Sequence, residues 1–173
     1  MMRRMLDYLL LFLVVVVLQV FLFDNLDTGL YLHPMIYMAF ILLLPVETVP
    51  ILVLLLGLAT GVTVDLLTGA AGLNTLSVLP VAFMRGAALR LTCSKDSISD
   101  GGIPSVRRLG KKGFLRYIIL AVTVHALIYF IMERASMDYF LLTLLRVLIS
   151  STVTVLLVYF TAKIFTTQVS NTV

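Results

Sequence analysis

Six apolar stretches, separated by short polar or turn-forming segments, occupy most of this chain. Of its 173 residues, 61% are hydrophobic and 13% are charged, whereas soluble domains have about 45–50% apolar and about 25% charged residues. The stretches therefore predict a single all-α integral membrane domain over residues 1–173, a bundle of about six transmembrane helices. The predicted helices span residues 6–23, 30–44, 48–67, 72–91, 114–132 and 139–165.

The same composition excludes soluble catalytic folds, nucleic-acid-binding modules and disulfide scaffolds. Cys93 is the one cysteine, so an internal disulfide cannot form. No serine–histidine or serine–lysine arrangement suggests an intramembrane protease, and no acid–histidine cluster has the spacing of metal ligands. His125 lies midway along the fifth helix, where we expect a hydrogen-bonded structural histidine. We therefore expect no enzyme, no cofactor and no nucleic-acid partner.

Basic residues indicate how the bundle is oriented in the membrane. Arg3 and Arg4 precede the first helix, which we interpret as a retained span, and Lys163 lies near the end of the last. Eight further basic residues lie in and around the polar loop 94–113: Arg85, Arg90, Lys95, Arg107, Arg108, Lys111, Lys112 and Arg116. The loops on the other side hold only Arg134. Because lysine and arginine concentrate in cytoplasmic loops, both termini and loop 94–113 are predicted to be cytoplasmic.

A proline-bracketed turn joins the second and third helices. Pro45 and Pro50 enclose Glu47, and proline both lacks an N–H donor and disfavours helix in the residue before it. The second and third helices are then either two full crossings or one re-entrant pair. Glu47 and Arg85 fall near the cytoplasmic boundary, where they form an ion pair or where Arg85 extends alone to the lipid headgroups.

A stripe of small residues runs along the third helix. Gly57, Gly61 and Gly69 are spaced by four or by eight, and Gly72 follows in the next turn. Missing side chains let a second helix approach closely, so the stripe predicts a helix-packing surface. That surface faces either another helix of the bundle or a helix of a partner protein.

Asp65 lies within this stripe, and a carboxylate near a bilayer centre costs about 2.5–3.5 kcal/mol. Arg146 lies about seven residues into the sixth helix, or roughly 10 Å at 1.5 Å per residue, which is a depth comparable to that of Asp65. We therefore predict a contact between Asp65 and Arg146. The alternatives are that Asp65 caps a helix end near the outer interface, or that it binds a transported cation or proton.

The stretch 34–91 resembles one known family. A proline-led short span from Pro34 to Leu44 is followed by Pro45-Val46-Glu47, by Gly57, Gly61 and Asp65, and by Gly72. The next span closes with Ala82-Phe83-Met84-Arg85. Together these motifs resemble the bacterial rod shape-determining protein MreD family. Two positions depart from its pattern: Asn74 stands where many relatives have histidine, and Gly86 follows Arg85 where proline is frequent.

The resemblance implies a role without a reaction. Members of this family belong to the inner-membrane machinery that builds lateral peptidoglycan and maintains cell shape. They work beside MreC, a single-span protein, and indirectly with the actin-like MreB, the glycan polymerase RodA and its transpeptidase. The expected function is thus a membrane scaffold within this elongation complex.

A second hypothesis comes from the architecture that the resemblance implies. Six-span bundles of this kind are similar to the substrate-binding subunits of energy-coupling-factor vitamin transporters. Those subunits often carry spaced alanines in the first span for docking, whereas this first span is LLLFLVVVVLQVFLF. The bulky first span favours the scaffold. A lipid-handling enzyme or flippase is a third and weaker hypothesis.

Overall fold

The computed structural model describes residues 2–25, 32–133 and 140–171. Within these ranges the chain forms seven α-helices and no strand. The helices are α1 (Met2–Val17, continued by a π-helical stretch Leu18–Phe23), α2 (Met38–Leu42), α3 (Pro50–Thr68), α4 (Leu73–Thr92), α5 (Lys95–Ser99), α6 (Val106–Glu133) and α7 (Phe140–Asn171).

In the part of the chain that the structure describes, four helical stretches are long and apolar enough to cross a membrane: Met5–Phe23, Pro50–Thr68, Val106–Glu133 and Leu141–Val169. The chain is therefore an all-helical, multi-pass membrane protein, as the composition predicts. The helix α4 has the predicted position and is 20 residues long, but Asn74, Arg85 and Arg90 make it less apolar than the other four.

The prediction of a second transmembrane helix over 30–44 is wrong. Residues 30 and 31 lie outside the described residues, as does residue 139 at the start of the sixth predicted helix. Of the remainder only Met38–Leu42 is helical. Apolar composition alone does not distinguish a buried helix from buried extended chain, because both bury the same side chains.

Residues 32–45, here called the central segment, form the core of the bundle. Every residue from Met35 to Leu44 is at most 5% exposed. The segment runs antiparallel to α1, since Tyr8 contacts Leu43 and Gln19 contacts Pro34. We call the end of the bundle where α1 begins the amino end, and the other the opposite end.

The helices α3 and α4 form a hairpin that closes at the opposite end. Gly69 ends α3 with a φ of 70°, and Gly72 precedes α4 with a φ of 86°. Side chains with a Cβ rarely adopt such positive φ angles, so glycine is required at both positions. Along the bundle α3 packs mainly on α4, α4 on α6, and α6 on α7.

The polar loop 94–113 is more ordered than its composition predicts. It contains α5, and α6 already begins at Val106 instead of near 114, with a kink at Gly110 (φ 70°, ψ 157°). The backbone of Val46 donates a hydrogen bond to the carbonyl oxygen of Gly102 at 2.9 Å. The loop is thus docked on the proline turn at the amino end.

Candidate functional site

The central segment creates a hydrogen-bonding problem. Turn hydrogen bonds pair the Ile36 and Tyr37 carbonyls and the Leu43 N–H with residues of its five-residue helix. The other backbone N–H and C=O groups outside that helix cannot pair within a helix, although they lie in the core. Unpaired backbone groups in a membrane interior are strongly unfavourable, and irregular backbone is tolerated there only when the surrounding protein satisfies it. Side chains from four surrounding helices supply these hydrogen bonds.

Gln19 of the first helix binds the segment at the opposite end. Its side chain is 1% exposed, its Oε1 accepts from the Ile36 N–H at 2.8 Å, and its Nε2 donates to the Pro34 carbonyl at 3.1 Å. The same Nε2 donates to Oδ1 of Asp24 at 2.7 Å. Burial raises the pKa of Asp24, while this hydrogen bond and the charge of His33 act to lower it.

Two hydroxyl groups of α7 complete the opposite end. Ser150 Oγ accepts from the His33 N–H at 3.0 Å, and Thr154 Oγ1 accepts from the Met35 N–H at 3.1 Å. Their spacing of four places both hydroxyl groups on one face of α7, where they follow the central segment.

Two tyrosines bind the segment near the amino end. Tyr117 of α6 donates to the Leu42 carbonyl at 3.2 Å, and Tyr8 of α1 donates to the Leu43 carbonyl at 3.2 Å. These carbonyls belong to the last turn of α2, which has no following turn to pair with them. The phenol groups therefore terminate the short helix.

Arg85 of α4 satisfies the next carbonyls. Its side chain is 3% exposed, and its Nη2 donates to the Leu44 carbonyl and, at 3.4 Å, to that of Pro45. Glu47 instead accepts from the Gly102 N–H at 2.7 Å. Both predictions for Arg85 are therefore wrong: it neither pairs with Glu47 nor extends to the headgroups, because the carbonyls of the turn bind it inside the bundle.

Asp65 of α3 caps the start of α4. Its Oδ1 accepts from the backbone N–H and the side-chain Nδ2 of Asn74, both at 3.0 Å. Its Oδ2 accepts from the backbone N–H of Thr75 at 2.9 Å and from its Oγ1 at 2.6 Å. The cap residue Gly72 has no side chain to satisfy these first amides of α4, so Asp65 takes that role.

The predicted contact between Asp65 and Arg146 is wrong. Arg146 Nη1 binds Glu133 Oε2 at 2.7 Å, and its guanidinium lies 4.8 Å from the centre of the Phe130 ring. Glu133 ends α6, directly before the connection to α7, so it is closer in the fold than Asp65. Of the three hypotheses for Asp65, helix capping agrees with its contacts.

A buried polar chain continues from Asp65 into the core. Because the Asn74 Nδ2 donates to Asp65, its Oδ1 faces Tyr37 and accepts from that hydroxyl at 3.0 Å. The Tyr37 oxygen lies 2.7 Å from His125 Nε2. Since Tyr37 has one proton and gives it to Asn74, Nε2 of His125 carries a proton and donates it to Tyr37. His125 is thus hydrogen-bonded inside the bundle, as the sequence predicts.

The glycine stripe packs inside the bundle. A Cβ on Gly57 would lie 3.0 Å from the Ala82 Cβ, and one on Gly61 would lie 2.6 Å from the Thr75 Cα. Both glycines therefore permit close approach of α3 to α4. Gly69 and Gly72 belong to the connecting turn. Of the two alternatives for this surface, the structure agrees with packing within the bundle.

The arrangement as a whole positions the backbone of the central segment and of the α3–α4 hairpin. Among the described residues, no group of three or more histidine, cysteine, aspartate or glutamate side chains could hold a metal ion. The amino end of the bundle contains Pro45, Glu47 and Arg85. The opposite end contains Asp65 and Asn74. The residues missed from sequence are Gln19, Tyr8, Tyr37 and Tyr117. A lone glutamine in an apolar helix was the available signal, since polar groups there require a partner.

Replacing Gln19 by leucine should destabilise the bundle. The substitution leaves the Ile36 N–H and the Pro34 carbonyl buried without a partner, at a cost of about 2–4 kcal/mol. We expect a fall in Tm of about 5–15 °C for a chain of this size in detergent micelles. Thr152→Val, at an exposed position of α7 where the hydroxyl donates within its own helix to the Leu148 carbonyl, is the control and should leave Tm nearly unchanged. Equal Tm values for the two variants would contradict this role of Gln19.

Comparisons of this chain with protein-family models, with curated proteins and with solved structures find no match.

Proposed function

We propose that this chain is a non-enzymatic component of the cell-elongation (rod) complex in the bacterial inner membrane. In that role it would help to maintain cell shape and organise lateral peptidoglycan synthesis by binding an MreC-like single-span protein. MreB, RodA and the elongation transpeptidase would be indirect partners. The observation that carries the proposal is the set of motifs over 34–91 that resembles the MreD family.

The contacts of the motif residues support this proposal. Glu47 and Arg85 bind backbone at the amino end, Gly57 and Gly61 allow the α3–α4 approach, and Asp65 caps α4. These five motif residues thus hold the central segment, the hairpin beside it or the docked loop. A motif composed of packing and capping residues is what a scaffold family would share, since a scaffold needs a shape more than a reactive group.

The distribution of charge supports the proposed orientation. Contacts of Tyr8 with Phe165 and of Tyr117 with Leu42 place the end of α7 and the first half of α6 at the amino end. The basic residues 107–116 and Lys163 therefore share that end with the beginning of α1. By the preference of lysine and arginine for the cytoplasm, the amino end is proposed to be cytoplasmic.

Because the glycine stripe packs within the bundle, a partner would have to bind at another surface. Because Gly57 and Gly61 face α4, a partner helix cannot use them. The outward faces of α1 and α3 carry exposed apolar side chains, among them Leu9, Leu13 and Leu55. We place the partner contact on such lipid-facing surfaces, where side-chain packing can drive association.

A pull-down from native membranes tests the proposal. The tagged chain, extracted in mild detergent, is expected to recover an MreC-like single-span protein together with glycan synthases, identified by mass spectrometry. An unrelated tagged multi-pass protein at equal expression is the control. Recovery of paired ATPases with a coupling membrane subunit would instead identify a solute-binding transporter subunit and refute the scaffold.

A further inference from the structure

A groove of about 1290 Å³ opens at the amino end of the bundle. Its walls come from α1, α7, the proline turn and the docked loop. Among the lining residues are Asp7, Asp100, Arg107 and Lys163, with the aromatic rings of Tyr8 and Tyr159. These four charged residues, and also Glu47 and Arg108 of the lining, are half-buried or exposed, so they are open to a ligand.

Hydrogen bonds give one wall of the groove a defined shape. Glu47 accepts from the Gly102 N–H at 2.7 Å. Arg108 donates to the Asp100 carbonyl at 3.0 Å and to that of Gly101. These contacts hold residues 100–108 against the turn, so Asp100 and Arg107 are presented from a docked segment instead of a free loop.

The groove lies near the ends of two apolar stretches, which is the depth at which we expect lipid headgroups. Asp7 is two residues after Met5, the start of one apolar stretch, and Lys163 is six residues before Val169, the end of another. Ligand pockets commonly measure about 300–1,000 Å³, so this volume accommodates more than a headgroup. Ile103, Val106 and Ala162 add apolar lining suited to the first part of acyl chains.

The charges of the lining have both signs. Arg107 and Lys163 suit a phosphate, whereas Asp7 and Asp100 suit an ammonium group. A purely anionic lipid would offer no cationic group to the three carboxylates of the lining, which belong to Asp7, Glu47 and Asp100. We propose that this groove binds a phospholipid whose headgroup carries both a phosphate and an ammonium. The site is independent of the proposed role in cell elongation.

Native mass spectrometry of the full-length protein tests the site. The probes are phosphatidylethanolamine and phosphatidylglycerol, added in equal amounts to detergent micelles. We expect preferential binding of phosphatidylethanolamine, and a decrease in its binding of about tenfold in Asp7→Asn and in Lys163→Gln, since each loses a charged contact. The controls are Asp96→Asn and Lys112→Gln, exposed positions that do not line the groove, and both should bind like the parent.

Three results would overturn the proposal. The first is preference for phosphatidylglycerol with no effect of Asp7→Asn, as expected for attraction of any basic surface to anionic lipid. The second is an equal loss of binding in the control variants. The third is binding of soluble phosphoethanolamine as tightly as the lipid, which would assign the groove to a free headgroup compound.

Discussion

Replacing Gly61 by leucine is expected to disrupt the α3–α4 hairpin itself, and not only an association with a partner. A Cβ at this position would lie 2.6 Å from the Thr75 Cα and 3.0 Å from its N. Because these are backbone atoms, α4 must move away as a whole. The cost should reach or exceed the upper part of the about 1–3 kcal/mol typical of overpacking. Reduced Tm and reduced folded yield in detergent measure the effect.

Gly86→Ala is the matched control within the same hairpin. A Cβ there meets no heavy atom within 4 Å, and alanine favours a helix interior by about 0.5–1 kcal/mol over glycine. This variant should match or slightly exceed the parent in Tm. If Gly61→Leu kept the parental Tm and lost only partner recovery in the pull-down, the stripe would face a partner and the packing described here would be refuted.

Replacing Asp65 by alanine should be the most damaging single change at the opposite end. It removes the acceptor of four hydrogen bonds from Asn74 and Thr75. Loss of a helix cap costs about 0.5–2 kcal/mol, and each buried donor left unpaired adds about 1–3 kcal/mol. We expect a total loss of several kcal/mol and little folded protein.

Asp65→Asn gives a sharper test of the capping role. Both carboxylate oxygens of Asp65 accept hydrogen bonds, so the amide nitrogen of asparagine would face a donor whichever way it points. The variant should therefore have a Tm between those of the parent and Asp65→Ala. Asp96→Asn, on the exposed α5, should match the parent. A normal Tm for Asp65→Asn would indicate that the carboxylate serves a purpose other than capping.

The helices that depend on local signals were predictable from sequence. Pro50 begins α3 close to the predicted position, and Gly72 directly precedes α4, because proline and glycine mark these boundaries. The helix α4 lies within one residue of its predicted position at each end. The central segment was not predictable in this way. Its backbone is stabilised by Gln19, 17 residues before Ile36, and by Thr154, 119 residues after Met35. Such non-local hydrogen bonds leave no periodic pattern.

The partner of Asp65 was mispredicted for a related reason. Depth in the membrane was the only available criterion, and it indicated Arg146. The tight turn between Gly69 and Gly72 instead brings the first amides of α4 beneath the carboxylate. Asn74 is only nine residues from Asp65 in the sequence. The short turn between them is therefore enough to bring the Asn74 N–H to the Asp65 carboxylate. Similarly, Glu133 meets Arg146 across the adjacent α6–α7 connection.

The extended core also determines the order in which this protein can mature during synthesis. The amides of His33 and Met35 donate to hydroxyl groups of α7, 117 and 119 residues later in the chain. While the ribosome is still producing α6, those acceptors do not exist. In a nascent chain that ends at Glu133, the amides of His33 and Met35 therefore still lack these acceptors. Synthesis of α7 supplies them, so the last helix completes the folding of residues that were translated first.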